Sequence, residues 1–385
     1  FHRSLIRFSH ETNSVPNLCW SIKSFNFFRY ILPICTTISA STAVLTFLIS
    51  ILHYIQKMDI HLITESGTYL LIMLYKLFIR ISVNKGKPYY QTLVRALQDD
   101  FNYISTKGQK YRFETFFENQ KLTFQACVLV ALFLSSIGGG MAICACIAAV
   151  VTLCIGSKGI TRPLPYPIWF FDYDLHVSPA YEITFISSML FTMFHTLQYI
   201  FMVQSQLVWI REVTCRADLL NWNLQDMLVN VSPARTKEEA DQYAAFIKHR
   251  MREIISMHQS MYDLLHDYAT VFKKCLLYEQ LLAAPIICTT AYSFAEKLDQ
   301  GEFKLILLLL CISIIWVAFV PCYLCTHLLE KVQSVGDACW NIPFWNAGPV
   351  IRPYLVLIMQ RSLRPLPIVA AGFQDISLQT YSRVS

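Results

Sequence analysis

Along this chain, long apolar runs alternate with shorter polar connections. Seven runs approach or exceed the roughly 20 residues needed to cross a hydrocarbon core of about 30 Å: 31–54, 61–83, 122–155, 181–209, 275–294, 304–327 and the C-terminal stretch 354–385. The predicted fold class is all-α, an integral membrane bundle of seven transmembrane helices. Run 122–155 is too long for one straight span, so part of it should tilt or project into water. Its glycines at 138–140 predict a kink or a close helix contact. In the connection 211–274, Ala244, Ile247, Met251, Ile254, Ile255, Met261, Leu264 and Leu265 recur at helical spacing, with no proline after Pro233. This predicts a long helix that continues into the fifth span and packs on other connections or on another subunit. No repeat at a solenoid period and no dividing linker is visible.

The C-terminal stretch holds two apolar segments, 354–359 and 366–376, joined by a hinge with Arg361, Arg364, Pro365 and Pro367. Proline cannot continue a helix and biases its predecessor away from helical geometry. One helix should therefore stop near Arg364 and another start at about Leu366. The two arginines belong in water or lipid headgroups, or beside an acid such as Glu330 or Asp337.

Composition supports the membrane reading. The chain is 55% hydrophobic and 15% charged, against roughly 25% charged in soluble domains, which excludes a soluble globular enzyme. The net charge of +6 is spread over connections, so it fits a positive-inside bias better than nucleic-acid binding. With the N-terminus cytoplasmic, every connection rich in Lys and Arg falls on one side, and seven spans place the C-terminus outside. That is the inverse of a G-protein-coupled receptor. The chain begins at Phe1 without a cleavable signal pattern, so its first residues are expected to be missing or removed. Most cysteines lie in apolar runs and behave as small apolar residues, implying no disulfide framework.

The outward connection 162–174, rich in proline and aromatics, should place Trp169, Phe170 and Phe171 in an interfacial belt or over a ligand cavity as a lid. Cys322 and Cys325 have metal-ligand spacing but no second pair. His195 reads as a core histidine or the lining of a polar pocket. No paired-carboxylate or nucleophile pattern is present, so no enzyme activity, metal or cofactor is expected. Asn230 begins the chain's single glycosylation sequon, on the side assigned to the cytoplasm.

The end of the chain resembles the insect odorant receptors. The matching pieces are Trp340 and Trp345 with four residues between them, IMQRS-x-RPL at 358–366, Ala-Gly-Phe at 371–373 and Ser-Leu-x-Thr-Tyr at 377–381. The 164–173 loop is similar to that family's second extracellular loop. The resemblance implies an odorant-sensing subunit of a ligand-gated, non-selective cation channel in the plasma membrane of olfactory sensory neurons. Its partners would be the Orco co-receptor in a heterotetramer, a small volatile odorant and membrane lipid. It also implies a cytoplasmic N-terminal segment (1–30), six spans with an odorant pocket in their outer half (31–327), an anchor helix region (328–364) and a pore-lining helix (365–385). The anchor helix would run from Trp340 to Arg364, with Trp340, Trp345, Arg361, Arg364 and Asp375 as pore or anchor residues. Asp375, the single acid in the pore helix, would face a neighbouring subunit or the conduction path. Residues of the family's gate would lie past Ser385.

Carried over by position, the pocket would use Thr68, Tyr69, Ile72 and Met73 of the second span and Ile143, Cys144 and Ile147 of the third. Ser188, Met189, Thr192 and Met193 come from the fourth, and Tyr292 from the fifth. A Met and aromatic lining suits small volatiles through dispersion contact. Burying roughly 150–250 Å² of ligand is worth about 4–6 kcal/mol at about 25 cal/mol per Å², which corresponds to dissociation constants from about millimolar to tens of micromolar. The alternatives are an insect gustatory receptor-type channel that works without the co-receptor, a G-protein-coupled receptor, and a secondary transporter. The gustatory Thr-Tyr-x-x-x-Leu-x-Gln-Phe, Asp-Arg-Tyr after the third span, Asn-Pro-x-x-Tyr and a repeated half are all absent from the sequence.

Overall fold

The structure is a computed structural model that describes residues 22–107, 110–155, 162, 164–171, 173–228, 237–301, 305–343, 350–364, 368–370, 374–379 and 382. Trp345, Asn230 and most of the expected N-terminal segment lie outside the described residues. The fold is all-α. Helix α1 (Ile22–Gln56) turns back into α2 (Ile60–Lys107) through a tight reversal. Met58 adopts a left-handed conformation there (φ 57°), and the Asp59 carboxylate caps α2 by accepting from the Leu62 N–H at 3.2 Å. Helices α3 (Lys110–Ile155), α4 (Ala180–Gln225), α5 (Lys237–Asp299), α6 (Leu305–Trp340) and α7 (Arg352–Ser362) follow. The chain ends in a two-residue antiparallel ladder, β1 (Val369–Ala370) with β2 (Gln374–Asp375).

Among the described residues, five segments are long and apolar enough to cross a membrane: Thr36–Gln56, Ile60–Ile81, Phe116–Thr152, Ala180–Leu228 and Leu307–Trp340. Their outward faces carry exposed Ile34, Leu45 and Leu52 on α1 and Leu129, Leu132 and Val150 on α3. Apolar surface on this scale belongs against lipid. The long helix expected from the spacing in 237–274 is a single 63-residue α5, about 95 Å at 1.5 Å per residue. Helix α2 runs well past its apolar segment, Ile60–Ile81, and α3 begins at Lys110, ahead of its own segment, Phe116–Thr152. The basic connection after the second span is thus largely two helical extensions. Helices α2, α4, α5, α6 and α7 build the largest core, in which Trp209, Tyr268 and Phe272 are fully buried. The Trp209 indole N–H donates to the Leu264 carbonyl at 3.0 Å, and its ring meets Phe272 edge-on at 5.9 Å. A buried ion pair, Arg216 to Asp100 at 2.7 Å, joins α4 to α2.

Two expectations for the C-terminal region are corrected. One anchor helix from Trp340 to Arg364 is not formed. Instead α6 runs to Trp340 and α7 starts at Arg352, with Pro353 in its first turn, where a missing N–H costs nothing. The predicted stop near Arg364 does match α7, which ends at Ser362. A helix from Leu366 is not formed at 368–370 or at 374–376 either. Ile368, Val369 and Ile376 are β-branched and Gly372 interrupts the run, which weakens helix relative to extended backbone. The Ile376 N–H donates to the Ile368 carbonyl at 2.9 Å, and both side chains insert into the large core. Asp375 sits exposed on the ladder. The Leu378 N–H donates to Thr326 Oγ1 at 3.0 Å, fastening this segment to α6.

The arginines of the hinge separate. Arg361 stacks on the Tyr262 ring at 4.4 Å, and the Tyr262 hydroxyl donates to the Arg361 carbonyl at 3.2 Å. Its partner is therefore α5, not Glu330 or Asp337, because α7 lays that face against α5. Arg364 is exposed, as is Trp340 at the end of α6.

A cavity between five helices

Each of α2 to α6 turns one stripe of side chains toward a common cavity of about 160 Å³. The stripes share one spacing, i, i+3, i+4, i+7, which is one face of a helix. They are Tyr69, Ile72, Met73 and Lys76 on α2; Leu134, Ile137, Gly138 and Met141 on α3; Thr192, His195, Thr196 and Tyr199 on α4. The other two are Glu279, Leu282, Ala283 and Ile286 on α5 and Leu310, Ser313, Ile314 and Val317 on α6. Gly138 has a local reason: a Cβ there would lie 2.7 Å from Thr196 Oγ1, so the close approach of α3 to α4 requires its absence. The neighbouring Gly139 and Gly140 meet nothing within 4 Å.

The 162–174 loop closes one end. Its Tyr166 is buried and lines the cavity, so this residue is a lid, while Phe170 and Phe171 remain exposed. The Tyr166 hydroxyl bonds Thr192 Oγ1 at 2.5 Å, and its ring meets Tyr69 edge-on at 4.9 Å. Phe47 of α1 stacks behind Tyr69 at 5.8 Å. Two serines hold the loop backbone: Ser50 accepts from the Trp169 N–H at 2.9 Å, and Ser66 donates to the Pro167 carbonyl at 3.2 Å. His53 stacks on Trp169 at 3.8 Å.

The opposite end is polar. Tyr75 donates to Glu279 Oε1 at 3.0 Å, while Glu279 Oε2 and the Tyr199 hydroxyl are buried without hydrogen-bond partners. His195 is fully buried, contacts Ser39 Oγ through Nε2 at 3.4 Å, and has no partner at Nδ1. Lys76, half-buried, lines the cavity there.

Of the residues carried over by position, the cavity gathers Tyr69, Ile72, Met73 and Thr192. Thr68 lies beside it, donating to Thr289 at 2.8 Å between α2 and α5. Ser188 is buried along a separate groove between α1 and α4. Ile143, Ile147, Met193 and Tyr292 are about half or more exposed, and Cys144 and Met189 are half-buried, all outside the cavity lining. The reason is helix phase. On α3 the inward face is 134, 137, 138, 141 and 145, and 143 and 147 fall opposite. Residues 189 and 193 are each turned about 100° from the 188 and 192 positions. The residues missed are Lys76, Tyr166, Tyr199, Glu279 and the whole α6 stripe. Among the described residues no group of three His, Cys, Asp or Glu could hold a metal. Cys322 and Cys325 instead sit in the core against Gln280 and Tyr268.

Among the described residues this arrangement has no catalytic geometry; it is a partly open, mostly apolar receptacle. Comparison with known proteins places it. A family model described as 7tm Odorant receptor matches residues 86–385. The chain belongs to the 7tm Odorant receptor family. It is 27% identical to odorant receptor 85f of Drosophila melanogaster over 34% of this chain and 33% of that one. It is 21% identical to odorant receptor Or2 of Anopheles gambiae over 58% of each. These matched regions span from about a third to just over half of the relatives' own lengths. The olfactory receptor OR5 of Machilis hrabei, solved in complex with eugenol, superposes with a TM-score of 0.70. That match covers 95% of this chain and 89% of that one at 15% identity, and it establishes a shared fold. The chain is a multi-pass membrane protein with the seven-helix fold of that family.

Proposed function

We propose that this receptor is the odorant-tuning subunit of a ligand-gated, non-selective cation channel, seated in the plasma membrane of olfactory neurons. The carrying observation is the cavity: five helix stripes and a tyrosine lid enclose about 160 Å³ of mostly apolar space. A dry engineered cavity of about 150 Å³ takes up benzene, so this volume suits a single-ring or short-chain volatile. The solved Machilis receptor binds eugenol, a substituted single ring, which supports the same ligand scale. In this reading the N-terminus is cytoplasmic, the long ends of α2 to α6 are the anchor through which subunits meet, and Orco completes a heterotetramer. Occupancy opens the channel only by its difference in affinity between closed and open states.

The test is whole-cell current in oocytes expressing the chain with and without Orco, across a panel of small volatiles. A fast inward cation current that requires both chains supports the reading. Robust current from this chain alone moves it to the gustatory type. A response abolished by blocking G-protein signalling sinks the channel mechanism.

A further inference from the structure

The polar end of the cavity holds two donors, on Lys76 and Tyr199, that no described residue engages, in a lining that also carries the Glu279 carboxylate. Lys76 lies within the membrane-crossing segment Ile60–Ile81, on the inward stripe with Tyr69 and Met73 and not on a lipid face from which it could snorkel. It forms no hydrogen bond or ion pair. An ammonium has three donors and no acceptor, and at membrane depth it needs a partner. The nearby acid, Glu279, is engaged by Tyr75 and makes no ion pair with it. Tyr199, one turn past His195, has a buried hydroxyl that is likewise unpartnered. The rest of the lining is mostly apolar, with Thr192, His195, Thr196, Ser313 and Glu279 as its other polar side chains, and a purely hydrocarbon ligand brings no acceptor for the two donors.

From this geometry we infer that the cavity selects small ligands bearing a carbonyl-type oxygen, which accepts from the Lys76 ammonium and the Tyr199 hydroxyl while the carbon body lies against Met73, Ile137 and Ile286. A carbonyl oxygen has two lone pairs, matching the two donors. Aldehydes, ketones, esters and carboxylates share this acceptor, whereas a protonated amine brings none to Lys76 and finds its counter-charge in the lining at Glu279 instead. The inference rests on the cavity being the odorant site.

Acetophenone and ethylbenzene test it, being near-isosteric and differing by the acceptor oxygen; benzoate and benzylamine supply the anionic and cationic arms. Dose–response currents are measured in cells expressing the full chain with Orco, and ligand-induced melting shifts on the detergent-solubilised full chain. A charge-assisted hydrogen bond predicts about a ten- to hundred-fold preference for acetophenone over ethylbenzene, with benzoate more potent than benzylamine. Lys76→Met should bring the two neutral compounds within about threefold, and Lys76→Arg should keep the preference. Equal potency in the natural chain, or a preference that survives Lys76→Met, overturns the inference. Where Lys76→Met fails to reach the membrane, the ratio in the natural chain and in Lys76→Arg decides. Ala283→Phe, which fills the cavity, separates the two readings. If it leaves ethylbenzene responses intact, the cavity is not the odorant site and the inference falls with it. If it abolishes them while Lys76→Met changes no ranking, only the ligand class is wrong.

Discussion

Arg216 offers the sharpest test of how α4 packs against α2 and α5. Its Nε donates to Asp100 at 2.7 Å, Nη1 to Ser260 Oγ at 2.5 Å, and Nη2 to the Ala96 carbonyl at 3.2 Å. One guanidinium thus pins α4 to α2 and α5. All of it is buried: Arg216 and Asp100 are each 5% exposed, and Glu212, which accepts from Gln120 at 3.5 Å, is 1% exposed. Arg216→Ala therefore strands two buried carboxylates beside one another. Removing one partner of a buried pair costs about 3–5 kcal/mol. At roughly 2 °C per kcal/mol for a large chain, the melting midpoint should drop by about 6–10 °C. Asp100→Leu should cost less, because Arg216 keeps Ser260, Ala96 and the neighbouring Glu212. In Arg216→Met/Asp100→Leu the stranded charge is gone, so the double variant should melt above Arg216→Met alone. Fluorescence-detected size exclusion after heating the detergent-solubilised chain reads all four. An Arg216→Ala midpoint within about 2 °C of the natural chain, less than about 1 kcal/mol, would show that the cluster is solvated, and the reasoning fails.

Further outcomes follow from other contacts. A Cβ on Gly336 would lie 2.9 Å from Ser362 Cβ, so Gly336→Ala should prise α7 from α6 and cost about 1–3 kcal/mol. Ser362→Gly should restore the melting midpoint, and no restoration would refute the packing argument. His258, on the non-membrane part of α5, is pushed down to about 4 by burial and by the Arg361 guanidinium. Unfolded histidine titrates near 6.5, so the unfolded chain binds the extra proton first. Stability should hold above about pH 6.5 and decline as pH falls toward 4. In His258→Gln that part of the decline should vanish from a pH series of melting curves. Tyr166→Phe removes the hydroxyl contact to Thr192 while keeping the ring against Tyr69. Dose–response curves should shift by about fivefold, the scale of one neutral hydrogen bond, with surface expression unchanged. A glycosidase-sensitive mobility shift that disappears in Asn230→Gln would invert the proposed orientation.

Much of the helix count was legible because apolar run length answers directly to bilayer thickness, a constraint on composition alone. The single long α5 was legible for a similar reason: an unbroken 3.6-residue pattern from Ala244 to Leu265 with no intervening proline leaves the chain little else to form. The cavity was harder because a membrane helix can be apolar all round, and then periodicity has no phase. Helix α3 presents Ile143 and Ile147 to the outside and Ile137 and Met141 to the cavity, and side-chain chemistry does not distinguish the two pairs. Where a polar residue breaks the symmetry, phase returns. Thr192, His195, Thr196 and Tyr199 mark one face of α4, and Lys76 marks the face of α2 shared by Tyr69 and Met73. A charge at membrane depth is expensive wherever it points, so its position is the one place where an apolar helix must declare its inward side. Had Lys76 and Glu279 been used to set the phase of their helices, the α5 stripe would have read as 279, 282, 283 and 286, and Tyr292 would have been placed outside. The C-terminal ladder escaped for a different reason. Ile368 and Ile376 suit a helix or a strand by hydrophobicity alone, and the choice was settled by burial of both side chains in the large core, a tertiary contact that no local pattern carries.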